Sequence, residues 1–258
     1  MAHIGSAGSS IRLLVLLLSA VLSAPLAGSL RAEEQDHPSG FRLREPRVFI
    51  GGHAGINLPQ ASSDLFAMVT RELTLQKKDF RAPTAGFDVG VPFGSRFAIV
   101  FSFDYARTSK RSESRNFVED NGDPITQTTR FSLMPLTATF RFYPIKQGER
   151  VGSYAWIPAR ILPYVGAGGG VVRYNFEQYG DFVDTVTLDI FPADLSSKGF
   201  AATEHVTTGI DIGITPVIFA NVEARYSWAK ADLSRDFAGF QPIDLAGLRL
   251  IGGIYFRF

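Results

Sequence analysis

Acidic and basic side chains recur at alternate positions inside segments that are otherwise apolar, and these are the residues that could do chemistry together. A period of two places them on one face of a β-strand and the apolar residues on the other. Four acidic and four basic residues share this property: Asp88, Asp104, Arg141, Asp211, Glu223, Arg225, Arg249 and Arg257. An unpaired charge is costly away from water, so the enclosed face of a closed sheet should pair them. The pattern predicts an internal polar network, with Arg173 as a further candidate.

Enzymatic chemistry has few candidate residues. The chain contains no cysteine, which excludes a disulfide framework, a thiolate metal site and a cysteine nucleophile. Neither His53 nor His205 has the spacing of a metal site. Ser196 and Ser197 precede His205, which leaves a lipid-modifying enzyme as the least favoured class. We therefore predict no enzymatic activity, no cofactor and no metal site, and a structural, hydrogen-bonded role for His205.

The composition argues against nucleic-acid binding and for a β-barrel wall. The formal net charge is +1 at pH 7, so no basic field is present to attract nucleic acid. The chain has 22 phenylalanines and 25 glycines. This combination suits barrel walls, in which aromatic girdles coexist with close approach of neighbouring strands.

The N-terminus has the order of regions of a secretory signal peptide. Arg12 precedes an apolar run over residues 13–22, and small residues follow over 23–29. The run is about half of the roughly 20 residues that a spanning helix needs, so an uncleaved inner-membrane anchor is the weaker alternative. We predict a signal peptide over residues 1–32 that is cleaved between residues 24 and 32.

The rest of the chain is predicted to be a short periplasmic lead-in, residues 33–45, and one barrel domain, residues 46–258. No later segment approaches 18 uninterrupted apolar residues, which excludes a helical membrane protein. Eight segments alternate instead and are each close to the roughly ten residues that a tilted bilayer crossing requires: 47–57, 84–93, 96–107, 130–143, 163–176, 204–215, 217–229 and 248–258. We predict an all-β, eight-stranded antiparallel up-and-down transmembrane β-barrel.

The connections between these segments alternate between long loops and tight turns, as in outer-membrane barrels. Residues 109–127 and 177–199 are predicted as charged extracellular loops, and the connection after the fourth strand is longer than a turn. Residues 63–73 permit a short amphipathic helix that could lie on the outer leaflet, cap the barrel mouth or pack on neighbouring loops. The predicted aromatic girdles are Tyr105, Tyr174, Tyr226 and Trp228 at one rim and Phe97, Phe142, Phe256 and Phe258 at the other.

The last strand is predicted to close the barrel against residues 47–57. Its apolar face ends with Ile254, Phe256 and Phe258, and its other face carries Arg249 and Arg257. An alternating strand that ends on an aromatic residue resembles the terminal insertion signal of bacterial outer-membrane barrels. We therefore predict that Ile254, Phe256 and Phe258 form an assembly signal.

A family resemblance rests on several short motifs. Residues 133–137 (LMPLT) and 163–168 (PYVGAG) look like the segments that flank the central periplasmic turn of OmpW-type proteins. The glycine-rich first strand and the last residues, 252–258 (GGIYFRF), are similar to the wider OmpA/OmpW-like group of eight-stranded barrels. The resemblance covers about residues 46–258. It implies location in the bacterial outer membrane, contact with outer-membrane lipid, insertion by the barrel-assembly machinery, and a link to passage of small hydrophobic molecules.

Two roles are open for the internal network: a salt-bridged plug that keeps the barrel closed, or the lining of a gated narrow pore. An eight-stranded barrel is just wide enough for side chains to fill it, which favours the plug. The leading functional prediction is a non-enzymatic barrel for envelope integrity or passage of small, including hydrophobic, solutes. The alternative is an adhesin or receptor that acts through its extracellular loops.

Overall fold

The computed structural model describes residues 44–119, 121–152, 155–184 and 187–258. The predicted signal peptide and the lead-in up to residue 43 lie outside the described residues. One α-helix, α1, spans Asp64–Glu72, and short 3-10 helices span Lys77–Phe80 and Arg235–Phe237. The strands are β1 Phe49–Pro59, β2 Ala82–Phe93, β3 Phe97–Val118, β4 Pro124–Phe142, β5 Gly148–Val151, β6 Ala155–Pro158, β7 Ile161–Val183, β8 Ile190–Gly213, β9 Ile218–Trp228, β10 Lys230–Ala231, β11 Ile243–Asp244 and β12 Gly247–Arg257.

Eight of these strands close into an antiparallel barrel in the order β1-β12-β9-β8-β7-β4-β3-β2. Closure is made by β1 and β12, which pair from Phe49↔Arg257 to Pro59↔Gly247. The remaining strands form two small hairpin sheets, β5–β6 and β10–β11. The predicted all-β, eight-stranded antiparallel barrel is confirmed, including the pairing of the last strand with the first.

The outer surface of the barrel carries a belt of exposed apolar side chains. Its members include Ile50, Phe87, Ile99, Phe103, Phe140, Val165, Ile210, Val222, Leu250 and Ile254. On β3 the belt runs from Phe97 to Tyr105, which is about 26 Å along the strand, or about 20 Å across the membrane at a tilt of about 40°. Backbone groups in hydrocarbon must be paired within the protein, and a closed barrel satisfies that condition. The chain is therefore a transmembrane barrel of the outer-membrane type.

The two ends of the barrel differ, which sets its orientation. A tight turn joins β2 to β3, and Gly94 in that turn has a φ of +60°, a conformation that favours glycine. The turn between β8 and β9 is one residue longer, and the chain enters β1 and leaves β12 at this same end. Short turns mark the periplasmic end of such barrels. The opposite end, with α1 and the long hairpins, is extracellular.

The two segments predicted as charged loops, 109–127 and 177–199, are mostly strand instead. The β3–β4 hairpin stays paired up to Val118↔Pro124, with an irregularity after Glu113. The β7–β8 hairpin stays paired up to Val183↔Ile190. The prediction was wrong because charged and polar side chains were taken as a sign of irregular structure. Cross-strand hydrogen bonds join backbone groups, so a sheet in water can continue without an apolar face.

The long connection after β4 contains the β5–β6 hairpin. Its Trp156 is buried, and a Cβ at Gly148 would lie 2.4 Å from the Trp156 ring, so the glycine makes room for the indole. Gln147 ties the hairpin to the barrel, because its N–H donates to the Ser95 carbonyl at 2.9 Å and its side chain donates to the Phe97 carbonyl at 3.0 Å. The connection is therefore a small packed element at the periplasmic rim. Among the described residues, no helix is long and apolar enough to cross a bilayer.

Glycines on the inner face of β7 allow close approach of β4, and this gives a stability prediction. A Cβ at Gly168 would lie 2.0 Å from the Ala138 carbonyl oxygen and 2.9 Å from the His205 ring. We expect Gly168→Ala to lower the free energy of unfolding by about 1–3 kcal/mol through overpacking. Urea unfolding of the refolded barrel in detergent, followed by tryptophan fluorescence, measures the change.

The matched control is Gly252→Ala, where the nearest heavy atom to the added Cβ is 3.8 Å away. We expect that variant to stay within about 0.5 kcal/mol of the wild type. Equal unfolding midpoints for the two variants would contradict close strand approach at Gly168.

Candidate functional site

The structure places all eight charged residues of the predicted network inside the barrel, where each is at most 6% exposed. Strand alternation explains the placement: β9, for example, turns Glu223 and Arg225 inward and leaves Val222 exposed to lipid. The four carboxylates and four guanidiniums balance in formal charge. These residues do not form simple ion pairs, however. Their contacts form three groups, and Arg225 is shared by two of them.

Glu223 is the centre of the first group. Its carboxylate accepts hydrogen bonds from Arg141 Nη2 at 2.6 Å and from the Tyr164 hydroxyl at 2.6 Å. Its other oxygen lies 2.8 Å from Arg225 Nη2. The guanidinium of Arg141 also lies over the Tyr164 ring, 4.4 Å from its centroid. One carboxylate thus holds two arginines, and the side chains of all of these residues are closed off from solvent.

Asp104 and Asp88 form the second group, joined through His53. Arg249 Nη1 donates to Asp104 at 2.9 Å, and His53 Nε2 lies 2.8 Å from the other Asp104 oxygen. His53 Nδ1 lies 3.3 Å from Asp88, which also accepts a 2.6 Å hydrogen bond from the Tyr255 hydroxyl. With a carboxylate at each ring nitrogen, both contacts are hydrogen bonds only when both nitrogens carry a proton.

Arg225 connects these two groups. Its Nη1 lies 3.7 Å from Asp104, while its Nε and Nη2 contact Glu223 at 2.9 and 2.8 Å. The same guanidinium lies within hydrogen-bond distance of the hydroxyls of Ser102 and Thr137. Because one arginine contacts both carboxylates, a change in either group is transmitted to the other.

Asp211 and Arg257 lie nearer the periplasmic end. Asp211 accepts hydrogen bonds from the Tyr143 hydroxyl at 3.1 Å and from the Asn221 amide at 2.6 Å. Arg257 lies over the Phe219 ring, 4.3 Å from its centroid. The charged side chains of the network are thus stabilised by ion pairs, by hydrogen bonds from tyrosine hydroxyls and by a cation–π contact.

Several uncharged or weakly charged members of the network were not among the predicted site residues: His53, Tyr143, Tyr164, Asn221 and Tyr255. Each occupies a strand position whose side chain faces the lumen, as does a charged residue on the same or the next strand. Tyr255, for instance, lies two residues from Arg257 on β12. Parity combined with hydrogen-bonding capacity, rather than charge alone, is the signal that could have found them.

Two placements around β7 correct the sequence interpretation. Arg173 faces outward and is exposed, with its guanidinium 5.9 Å from the Phe200 ring, so it does not belong to the lumen. Its neighbour Tyr174 is 1% exposed and faces inward, so it is not part of the outer aromatic girdle. Adjacent residues of a strand face opposite sides, so the outward position of Arg173 and the inward position of Tyr174 follow from one another. The glycine-rich β7 has too weak an apolar alternation to show that parity.

The histidine weighed as a catalytic residue lies inside the lumen. His205 is 2% exposed, and its Nε2 contacts the Thr139 hydroxyl at 2.8 Å. Ser197 lies eight residues away along β8, about 26 Å at strand spacing, and its hydroxyl contacts Tyr174 and Ser234. No Ser–His pair forms between them. Among the described residues, no group of acidic and histidine side chains is arranged to hold a metal ion.

An apolar layer closes the extracellular mouth above the network. This outer cluster is centred on Phe66 of α1, whose ring lies 4.8 Å from Phe80, 5.6 Å from Phe131 and 6.0 Å from Phe176. Of the three positions that the sequence allowed for α1, the structure shows the mouth cap. The buried members of the outer cluster are Ala61, Leu65, Phe66, Val69, Leu73, Leu75, Phe80, Phe131, Leu133, Val172, Tyr174, Phe176, Ala201, Ala231, Phe237, Ile243 and Leu245.

A second apolar layer lies below the network, at the periplasmic end. Phe219 and Tyr255 stack there with ring centroids 5.1 Å apart, and Phe49 meets both rings edge-on. The buried members of this inner cluster are Phe49, Ala98, Val100, Tyr143, Leu162, Tyr164, Phe219 and Tyr255. Its tyrosines serve twice, since their rings pack in the cluster while their hydroxyls reach the carboxylates above.

The lumen is therefore closed at three successive levels. Asp88, Asp104, Arg141 and Glu223 are each at most 1% exposed, so they are closed off from solvent. Two cavities that border the network have volumes of about 10 and 20 Å³, each close to the space needed for a single water molecule. Apolar packing above and below a neutralised ionic layer leaves no open axial path through the residues that the structure describes.

Neither a protein-family model nor a curated protein matches this sequence. Among solved structures, the chain is similar to Neisserial surface protein A at 15% identity, over 85% of this chain and 98% of that chain, with a TM-score of 0.44. It is similar to the outer membrane protein OprG from Pseudomonas aeruginosa at 13% identity, over 84% and 98% of the two chains, with a TM-score of 0.45. It is also similar to Ail, the attachment invasion locus protein of Yersinia pestis, at 15% identity, over 83% and 100%, with a TM-score of 0.39. These are small outer-membrane β-barrel proteins, and at such values the likeness concerns the fold alone.

Proposed function

We propose that this chain is a non-enzymatic outer-membrane barrel with a closed lumen, and that it acts through the sheet that rises from its extracellular side. The observation that carries the proposal is an asymmetry of the wall. Strands β1, β2, β9 and β12 end near the apolar belt, whereas β3, β4, β7 and β8 continue beyond it. From Tyr105 to Val118, β3 extends about 43 Å, or about 33 Å above the belt at a tilt of about 40°.

The continued strands form one sheet, here called the extracellular sheet, which comprises residues 107–118, 124–133, 172–183 and 190–201. Pairing between β4 and β7 reaches Gln127↔Gly180, so the two hairpins are joined and do not move as separate loops. The inner face packs on the outer cluster through Phe131 and Phe176. A sheet held on one face by a packed core is rigid, which suits a surface that must keep its shape for a partner.

The outer face of the extracellular sheet is mostly polar and mixed in charge, and its exposed apolar side chains include Phe200 and Ile190. It carries hydroxyl, amide, carboxylate and basic groups at alternate positions: Thr126, Thr128, Arg130, Ser132, Asn175, Glu177, Tyr179, Asp181, Ser196 and Lys198. Groups of these kinds make directional hydrogen bonds to proteins or glycans. The surface therefore supports the adhesin or receptor role more strongly than solute passage, which the three closed layers of the lumen oppose. A contribution to envelope integrity is compatible with both features.

The closed lumen predicts an absence of conduction. In planar bilayers we expect the wild-type barrel to show no unitary conductance, and liposomes that contain it to retain small solutes. Arg249→Ala should behave in the same way, because the outer and inner clusters remain intact on either side of the altered ionic layer. A steady conductance for the wild type would show that the lumen is open, and one that appears only on Arg249→Ala would show that the ionic layer is the gate of a pore.

The display role is tested by shortening the β7–β8 hairpin. Replacing residues 181–192 with Asn-Gly leaves Gly180↔Ala193 as the closing pair of a two-residue turn. We expect bacteria that express this variant to lose adhesion to cultured host cells and matrix glycans that the wild type supports, while the barrel keeps its heat-modifiable mobility. The control replaces residues 151–155 with Asn-Gly, which makes the same kind of closure in the periplasmic β5–β6 hairpin. Adhesion that survives the first change, or that is lost equally with the second, would refute the proposal.

A further inference from the structure

A pocket of about 320 Å³ lies on the outside of the barrel, at the extracellular edge of the apolar belt. It is distinct from the lumen, because eight of its nine lining residues face outward from β3, β4 and β7, and only Tyr174 faces inward. Tyr105 and Met134 line its lower edge, Arg173 pairs directly with Met134, and Arg107 and then Arg130 follow toward the extracellular end. The pocket thus joins an apolar region of the wall to a basic one.

The local sequence explains why a pocket forms here. Regular β3–β4 pairing is interrupted between Phe103↔Leu136 and Ala106↔Leu133. Pro135 lies in this gap and has no N–H to donate to the neighbouring strand. The register is the same on both sides of the gap, and the two unpaired positions opposite each other include Tyr105 and Met134, which line the pocket.

The height of the arginines corresponds to the headgroup layer of the outer leaflet. Arg107 follows the last belt residue of β3, Tyr105, by two positions, and Arg173 follows Val171 of β7 by two positions. At strand spacing this is about 7 Å along the strand, or about 5 Å beyond the belt at a tilt of about 40°. A bilayer of about 40–45 Å has a hydrocarbon core of about 30 Å, which leaves a headgroup layer of about that depth on each side.

The positive charges of the arginines that line the pocket are not neutralised by the protein. Arg130 lies 3.8 Å from Glu177, the one carboxylate that lines the pocket within the described part of the chain. Neither Arg107 nor Arg173 makes an ion pair with a carboxylate among the described residues. The Nε of Arg130 is buried and has no hydrogen-bond partner there. Three guanidiniums against one carboxylate leave an excess of two positive charges around unused donors.

We propose that this pocket binds the phosphate-bearing headgroup of an outer-leaflet glycolipid, lipid A, with its acyl chains lying along the belt below Tyr105 and Met134. A phosphate matches the donors, because guanidinium groups bind it through charge-assisted, often bidentate hydrogen bonds. An acyl chain matches the rest, because the outward-facing Tyr105 and Met134 that line the pocket adjoin the apolar belt of the lipid-facing surface. The site lies at the base of the extracellular sheet and includes Arg130, Ser132, Asn175 and Glu177 of its outer face. It is tested separately from the display role, because the hairpin tip that the adhesion experiment removes, residues 181–192, does not line the pocket.

The test measures binding to the purified, refolded barrel in detergent by native mass spectrometry. The probes are bisphosphorylated lipid A, dephosphorylated lipid A and inorganic phosphate. The variants are Arg107→Gln, Arg173→Gln and the double variant. Arg96→Gln is the matched control, because it removes the same charge from an exposed position at the periplasmic rim. Heat-modifiable mobility verifies that each variant is folded.

We expect lipid A to bind the wild type and to bind about tenfold more weakly to each single variant and about a hundredfold more weakly to the double variant. Arg96→Gln should bind as the wild type does, and dephosphorylated lipid A should bind poorly to all proteins. Equal binding by the wild type and the double variant, or an equal loss on Arg96→Gln, would overturn the site. Inorganic phosphate that binds as tightly as lipid A would overturn the assignment to a lipid.

Discussion

Glu223→Gln is expected to lower the free energy of unfolding of the barrel by about 3–5 kcal/mol, the cost of breaking a buried ion pair from one side. The change keeps the volume of the side chain and removes its charge. Arg141 then loses its 2.6 Å carboxylate contact, and Arg225 loses the nearer of its two carboxylates. Two guanidiniums that are closed off from water would share the remaining carboxylates. Urea unfolding in detergent, followed by the fluorescence of the two tryptophans, measures the loss.

The matched control for this prediction is Glu204→Gln on β8, which removes the same charge from an exposed, outward position. Its effect should stay within about 0.5 kcal/mol. A second change, Arg141→Met, made together with Glu223→Gln, should restore part of the loss, because it removes one of the guanidiniums that lack a partner. Strict additivity of the two changes would show that Arg141 and Glu223 do not act as a pair. An unaltered midpoint for Glu223→Gln alone would show that the lumen is more hydrated than its burial indicates.

Removal of Phe258 is the second large expected effect, and the structure shows a reason beyond the exposed ring. The Phe258 N–H donates to the Val48 carbonyl at 2.8 Å, and the Phe258 carbonyl accepts from the N–H groups of Arg47 at 2.7 Å and Val48 at 3.4 Å. These hydrogen bonds extend the β1–β12 seam that closes the barrel. Their loss should cost up to about 3 kcal/mol at about 1 kcal/mol each. We expect most of the chain to be absent from the outer-membrane fraction, measured by immunoblotting of separated membranes.

Phe258→Ala separates the two contributions of this residue. It keeps the backbone hydrogen bonds of the seam and removes the side chain, which is 61% exposed. If the aromatic ring is the assembly signal, the alanine variant should assemble as poorly as the deletion. If the seam dominates, it should assemble nearly as well as the wild type. Normal outer-membrane levels of the deletion variant would contradict both accounts. Ile254 and Phe256, which are exposed on the same face, stay predicted parts of the signal.

Much of the barrel could be predicted from local pattern. In β3 the alternation from Phe97 to Tyr105 is uninterrupted, and both its strand character and its lipid-facing side are confirmed. In β7 the same reasoning left the orientation open, because glycines at 166, 168, 169 and 170 remove the contrast between faces. The wrong orientations that were predicted for Arg173 and Tyr174 follow from this missing contrast. Strand ends were missed for a related reason, since polar residues beyond the membrane carry no apolar alternation to mark continued pairing.

By itself, the sequence determined which side chains face the lumen in every strand with a clear apolar alternation, because the period of two is a property of each strand and needs no partner. All eight charged residues expected inside the barrel lie there. Only the tertiary structure decided which of them meet. Arg249 and Asp104 are 145 residues apart in the chain, and closure of β1 on β12 brings them within 2.9 Å. The tertiary structure likewise decided that α1 closes the extracellular mouth. The sequence of an amphipathic helix shows which face is apolar but not what that face will pack against.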